Sequence, residues 1–393
     1  MLPRLLLALA AAFGVYTYLG YPAILTLVSA RRRSSRPRHG DDPPEQWPRI
    51  SIALPVYNEA AVIGGTLGEI LAAPYPVDRR QILVVSDAST DGTDAVVAGF
   101  RDRGVELLQL PQRQGKTAAE NAARCHLTGA IIINTDASVH IHPGAIKHLV
   151  AALRDPDVGV ASGRDVSVAN LEAHPNAGEE AYVGYEMWVR DAETTTGGIV
   201  GASGCLYAIR AALHAGHVPE ALSRDFAAAL TAREHGFRAV SVPEAVCFVP
   251  RGASLRQEYR RKVRTITRGL GTLVWKRTLL NPWRYGVFAW MLFSHKVCRW
   301  LVPWALLLGL GALAAAAPAA GWARAALAGC GVCGALAAIG WLWPEGKRTP
   351  RLVALPAYVV AGNVAVLHAW VRVLVGARAP VWEPTRRGAV PAR

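Results

Sequence analysis

Three aspartates stand where a short apolar run ends or a helix begins: Asp87 in Val84-Val85-Ser86-Asp87, Asp136 in Ile132-Ile133-Asn134-Thr135-Asp136, and Asp225 in Ser223-Arg224-Asp225-Phe226. A carboxylate so placed can hold a hard divalent cation, take a proton from a hydroxyl, or cap the helix that follows. Further along comes Gln257-Glu258-Tyr259-Arg260-Arg261. Arginine's planar fork pairs with phosphate oxygens, so this segment adds a means of holding a charged substrate.

These side chains need a scaffold. Short apolar runs at Ile50 to Leu54, Ile82 to Val85, Val105 to Leu110 and Ala130 to Asn134 alternate with helical stretches at Ala60 to Ala73 and Lys116 to Thr128. That alternation predicts an α/β fold with a mostly parallel central sheet covered on both faces. Ligands in such sheets bind beyond the carboxyl ends of the strands, which is where Asp87 and Asp136 fall. Asp91, just before Gly92-Thr93, is the better candidate for a helix cap.

Four stretches lack Asp, Glu, Lys and Arg: Leu5 to Ala30, Trp300 to Ala323, Ala325 to Pro344 and Leu352 to Val371. Each is long enough for a hydrocarbon core, which needs roughly 20 helical residues. The first exceeds the apolar core of a cleaved signal and is followed by Arg31-Arg32-Arg33, so it is expected to stay as an anchor. Arginines beside it, and Arg256, Arg260, Arg261, Lys262, Arg264 and Arg268 before the second stretch, place the large middle region on the cytoplasmic side. The last stretch contains Pro356 and Gly362 and is read either as a full span or as a re-entrant segment. Asn281-Pro282-Trp283 and Ser294-His295-Lys296 look like an interfacial approach to the second stretch.

The net charge of +14 invites a nucleic-acid reading. The basic residues cluster beside the apolar stretches, where anionic lipid attracts them, and no nucleic-acid-binding signature is present. Gly115-Lys116-Thr117 lacks the earlier glycine of a phosphate loop, since position 110 is leucine, and no G-x-G-x-x-G occurs. Cys330-Gly331-Val332-Cys333 has no second ligand pair and is expected to pack within an apolar helix; the other cysteines do not form a disulfide framework.

What remains resembles the family 2 glycosyltransferases of GT-A fold, the group that includes cellulose, chitin, hyaluronan and poly-N-acetylglucosamine synthases. The resemblance runs from about Ile50 to Trp300 and is carried by an ordered set: Pro55-Val56-Tyr57-Asn58-Glu59, Ser86-Asp87 with Asp91-Gly92-Thr93, Gly115-Lys116, Thr135-Asp136-Ala137, Gly201-Ala202-Ser203-Gly204, Ser223-Arg224-Asp225 and Gln257-x-x-Arg260-Arg261. It implies that Pro55, Tyr57 and Glu59 line a uridine pocket and that Asp87 accepts from uracil or ribose. Asp136 is expected at the donor diphosphate with Mg²⁺ or Mn²⁺. Lys116 is expected either on the phosphates or as a solvated first-turn lysine. Gly201, Ala202, Ser203 and Gly204 would admit the acceptor, Trp188 would stack on a sugar or pack in the core, and Asp225 would be the general base.

Three departures stand out. The family's Asp-x-Asp is Asp136-Ala137-Ser138, its Thr-Glu-Asp is Ser223-Arg224-Asp225, and its Gln-x-x-Arg-Trp ends in Arg261. In the family this last segment lies at the membrane, touching diphosphate and acceptor; the lost tryptophan weakens the inference of processive synthesis. The implied organisation is a membrane helix at 1–30, a basic linker at 31–48, a cytoplasmic GT-A domain at 49–250, a basic amphipathic interfacial segment at 251–298, membrane helices at 299–376 and a tail at 377–393.

The expected function is inverting sugar transfer from a UDP-linked donor to a growing exopolysaccharide or cell-surface glycan at the bacterial inner (cytoplasmic) membrane. Two alternatives stand beside it: a single addition to polyprenyl phosphate or another lipid, and a non-catalytic nucleotide-binding subunit of a synthase complex. Expected partners are the nucleotide-sugar, a glycan or lipid-linked acceptor, the bilayer and subunits of a polysaccharide export complex.

Overall fold

A computed structural model describes residues 1–32, 47–168, 177–250, 254–344, 347 and 349–376. The expected linker at 33–46, Arg251 and the tail at 377–393 lie outside the described residues. The chain begins with helices α1 (Leu2–Val15) and α2 (Tyr21–Arg32), joined by a π-helical turn at Tyr16–Gly20. It continues through β1 (Ile50–Val56), α3 (Ala60–Ala72), β2 (Arg80–Ser86), α4 (Thr93–Ala98), β3 (Val105–Gln109), α5 (Lys116–Ala123), β4 (Ile131–Thr135), β5 (His140–Ile141) and α6 (Ala145–Ala152). Then come β6 (Val158–Val168), α7 (Ala177–Thr196), β7 (Leu206–Arg210), α8 (Ala211–His214), α9 (Arg224–Glu234) and β8 (Arg238–Pro250).

These strands form one sheet in the order β3-β2-β1-β4-β7-β6-β8-β5. Every residue of β1 is buried, as a parallel strand covered on both faces requires. The β3-β2-β1-β4 half is parallel, as alternation predicts. The other half is mixed, because β7 runs antiparallel to both β4 and β6. Its direction matters for the site: Leu206 at the start of β7 pairs with Thr135 at the end of β4, so the loops at 136–138 and 201–205 meet at one edge.

Apolar side chains fix the layers. Ile63, Leu67 and Ile70 of α3 and Leu149 of α6 pack on Ile52, Leu54, Ile82 and Ile133. On the other face, Ala119 and Ala123 of α5 meet Leu83 and Val85, and Ala228, Ala229 and Ala232 of α9 meet Ile132 and Tyr207. Each fully buried Ile or Leu contributes about 1.5–3 kcal/mol. The alanines let α5 and α9 lie close to the sheet beneath the site.

The rest is helical: α10 (Leu255–Trp275), α11 (Pro282–Tyr285), α12 (Val287–Leu292), α13 (Arg299–Ala316), α14 (Gly321–Leu342) and α15 (Arg351–Leu374). A π-helical turn at Phe293–Cys298 joins α12 to α13. Among the described residues four helical runs are long and apolar enough to cross a membrane: Leu2–Arg31, Val287–Ala316, Gly321–Leu342 and Arg351–Leu374. The second starts at Val287, ahead of the uncharged stretch at Trp300, because Lys296 and Arg299 are neutralised inside the protein by Glu186. Ser294-His295-Lys296 therefore belongs to this helix, and not to an approach before it. The last run passes through Pro356 and Gly362 as one continuous helix. Cys330 and Cys333 are exposed on α14 instead of packed.

Candidate active site

The first two motif loops are clipped together at the sheet edge. Asn58 adopts a left-handed conformation with φ 53°, and its Oδ1 accepts from Thr90 N at 2.8 Å. Asp91 receives Thr93 N at 3.0 Å on Oδ1 and Ala60 N at 3.1 Å on Oδ2, so one carboxylate joins the starts of α3 and α4. Burial works against its charge, but these bonds and the Thr93 hydroxyl hold its carboxyl below the usual value. Pro55 is buried at the end of β1, Glu59 opens α3, and the Arg113 guanidinium lies 3.8 Å from the Tyr57 ring centroid.

Asp87 is fully enclosed, and each of its oxygens accepts a backbone N–H, from Gln114 and Gly115, both at 2.7 Å. Its carboxylate thus holds the loop that starts α5. A contact to a bound base would use its remaining lone pairs.

Lys116, the first residue of α5, reaches across the edge. Its Nζ lies 2.5 Å from Asp136 Oδ1 and donates to Gly204 O at 3.1 Å. It is therefore not the solvated lysine that one reading allowed. Burial opposes its charge, but Asp136, then Glu120 and Asp225, hold its pKa above the ordinary lysine value. Among the described residues no three His, Cys, Asp or Glu side chains gather as a metal cage. A magnesium or manganese ion needs only one or two protein carboxylates when phosphates and water complete its shell, and Asp136 at the end of β4 fits that demand.

Asp225 lies in the first turn of α9, behind the N-cap Ser223. Its Oδ1 accepts from Ser223 Oγ at 2.5 Å and from Phe226 N at 2.8 Å. Its Oδ2 faces Gly204, where an added Cβ would sit 2.6 Å away. At Gly201 an added Cβ would meet Phe226 at 3.1 Å. The small residues here thus admit α9 itself. Ser203 is held by β6, its Oγ donating to Asp165 at 2.6 Å and its N–H to Ser162 Oγ at 2.8 Å. Ala202 packs against the cluster beneath α9.

Arg224, which stands where the family has Glu, points away from the site. It is buried and donates to Asn121 Oδ1 at 2.9 Å and to the carbonyls of His214 and Gly216 at 2.9 and 3.4 Å. It ties α5 and α8 to the base of α9. The local geometry of Asp225 is left intact.

The structure thus brings Lys116, Asp136, Gly204 and Asp225 together. Other expected residues stand elsewhere. Gln257 and Arg260 are exposed on α10, and Arg261 pairs with Glu258 at 2.7 Å. Trp188 is 47% exposed on α7, with Tyr185 6.0 Å away, so it is not a core residue. Sequence reasoning missed two participants. Arg268 donates to Thr117 Oγ1 at 2.5 Å and to Glu220 O at 3.1 Å, with a further bond to Leu222 O. The helical spacing of 257, 260, 264 and 268 on one face of α10 was the available signal. Glu120 is the second, a buried carboxylate whose pKa is raised by burial against the pull of Lys116 and Arg224.

Residues 51–207 match the sequence profile of Glycosyl transferase family 2. The mannosyltransferase PcManGT from Pyrobaculum calidifontis, solved with GDP-Man and Mn²⁺, superposes with a TM-score of 0.71 at 26% identity, covering 94% of this chain and 99% of that one. The glycosyltransferase AglE of Haloferax volcanii is 30% identical over 34% of this chain and 43% of its own length. The beta-monoglucosyldiacylglycerol synthase of Synechocystis is 24% identical over 41% of this chain and 34% of its own. The chain spans less than half the length of these two curated relatives. Strand order and superposition show a glycosyltransferase of GT-A fold, and the Glycosyl transferase family 2 profile matches within it over residues 51–207.

Proposed function

We propose that the chain transfers a sugar, with inversion, from a nucleoside-diphosphate sugar to a membrane-borne acceptor, with Asp225 as general base. One observation carries the reading: Gly204 separates the two halves of the chemistry. Its carbonyl accepts from Lys116, which is paired to Asp136, while the place a Cβ would take is filled by Asp225 Oδ2. An acceptor hydroxyl beside Asp225 gives up its proton as its oxygen attacks the anomeric carbon and the bond to the diphosphate breaks. Lys116 lies where charge grows on the leaving diphosphate. A divalent cation held by Asp136 would neutralise that charge further as a Lewis acid. A single displacement with one base and no enzyme nucleophile inverts the anomeric centre.

A membrane-borne acceptor is supported by the residue after the base. Phe226 packs edge-on against Trp300 of α13 with centroids 6.2 Å apart, and Lys296 Nζ lies 5.8 Å from its ring. The base therefore sits against an apolar, membrane-length helix. The favoured acceptor is a growing exopolysaccharide or cell-surface glycan, with the catalytic domain on the cytoplasmic face of the inner membrane. The same contact also favours a second reading, one addition to a lipid-linked acceptor. A ladder of products supports the first and a single lipid-linked band the second.

The uridine expectation is tested by measuring UDP or GDP release from a panel of donors in the presence of Mn²⁺. Asp225→Asn should keep nucleotide binding and lose transfer by about 10²–10⁴-fold. Normal turnover by that variant would remove Asp225 from its role.

A further inference from the structure

We propose that Glu120 is a positioning residue of the donor site: the carboxylate that holds the Lys116 ammonium once Asp136 is engaged by a cation and the donor diphosphate. This rests on the donor-site reading above. Glu120 lies one turn beyond Lys116 on α5, and residues four apart share a helix face. It is only 3% exposed, and among the described residues its carboxylate accepts no hydrogen bond. A carboxylate this enclosed and without a hydrogen-bonded partner is available to a cation beside it. Near it, Tyr207 OH and both side-chain polar atoms of Asn134 are buried without partners, and Tyr207 and Asn134 face each other in the β4–β7 ladder.

Two cations act on Glu120, Lys116 and Arg224. Arg224 is already committed to Asn121, His214 and Gly216. Lys116 is committed to Asp136, but only while that carboxylate is its own. A divalent cation bound to the same carboxylate repels the ammonium beside it. After Asp136, the carboxylates that attract Lys116 are Glu120 and then Asp225. Asp225 must remain open to the acceptor. Glu120 is thus the one placed to hold Lys116 from behind while its ammonium turns to the diphosphate.

The test is a Mn²⁺ titration followed by electron paramagnetic resonance, on the full chain in detergent, with UDP or GDP present. Glu120→Gln should raise half-saturating Mn²⁺ by about tenfold or more, as loss of a residue that orients a ligand typically does. In a Lys116→Met background the same substitution should change it by less than about twofold, since the effect runs through Lys116. Should Glu120→Gln not fold, Glu120→Asp, which shortens the carboxylate's reach, is expected to shift Mn²⁺ in the same direction. A lowered melting temperature with unchanged Mn²⁺ affinity, or an equal shift in the Lys116→Met background, overturns the proposal and leaves Glu120 as a counter-charge to Arg224. If neither nucleotide recruits Mn²⁺ to the unaltered protein, the donor-site reading itself falls.

Discussion

At Gly204 the fold and the chemistry compete for the same space. A methyl group there would sit 2.6 Å from Asp225 Oδ2, so Gly204→Ala must displace the carboxylate or the loop. Misplacing a reacting group by about 1 Å can cost roughly 10²-fold. Gly204→Ala is therefore expected to lower kcat by about that factor with nucleotide affinity nearly unchanged, read by nucleotide release and by calorimetric nucleotide binding. Equal losses in both would place the damage in the donor loop instead. Motif order in the sequence was enough to single out Asp136, Gly204 and Asp225, which the structure brings to one edge of the sheet. It could not say what fills the space beside Gly201 and Gly204, because Phe226 and Asp225 arrive from a different element. Nor could it foresee that Arg224 turns away: neighbours on a helix point about 100° apart, so a substitution beside Asp225 need not face the same side. The pairing of Lys116 with Asp136 joins a helix start to a strand end 20 residues away and left no local signal.

Among the elements, the parallel half of the sheet was legible because strands covered on both faces are continuous apolar runs. The reversal at β7 was not, since a short buried strand carries no mark of its direction. Asp91 shows how two elements are joined at one residue, holding the starts of α3 and α4 through Ala60 and Thr93. Asp91→Asn keeps one acceptor and sets an amide against the other N–H. It should cost about 0.5–1 kcal/mol, the low end of the capping range because the group is exposed. Its carboxyl titrates lower in the folded protein than in the unfolded chain. The stabilisation is therefore fully present above the unfolded carboxylate pKa of about 3.9 and is lost as pH falls through the folded value. Melting curves of the two proteins should differ by a constant amount from about pH 5 to about pH 8 and converge as pH falls through the folded value. A difference that grows in acid would contradict this assignment.

On the scale of the whole molecule, the transferase domain is fastened to the membrane-length helices through charges buried at their junction. Glu186 and Glu193 lie seven residues apart on α7, two turns along one face. Glu193 Oε1 accepts from Tyr21 OH of α2 at 2.6 Å and lies 2.6 Å from His295 Nδ1. Glu186 lies 2.9 Å from His295 Nε2 and accepts from Arg299 at 2.6 Å. Burial opposes both carboxylates, yet His295 and the cations around it hold both below the ordinary glutamate value. The two π-helical turns meet here as well, with Tyr16 OH 2.7 Å from Ser294 Oγ. Such turns mark functional places in helices more often than chance. In the sequence only Ser294-His295-Lys296 stood out, as an interfacial approach, because each partner lies on another element far along the chain. A buried ion pair is poor evidence for stability in itself, but removing one member leaves its partner uncompensated and costs about 3–5 kcal/mol. Glu193→Ala should therefore lower the thermal midpoint in detergent far more than Tyr21→Phe, which removes one hydrogen bond worth about 1 kcal/mol. Because both act on one carboxylate, the double variant should fall short of the sum by about 0.5 kcal/mol or more. Strict additivity would mean that the Tyr21–Glu193 bond contributes nothing and that α2 is held to α7 by packing alone, with any cost of Glu193→Ala arising from its pairing with His295.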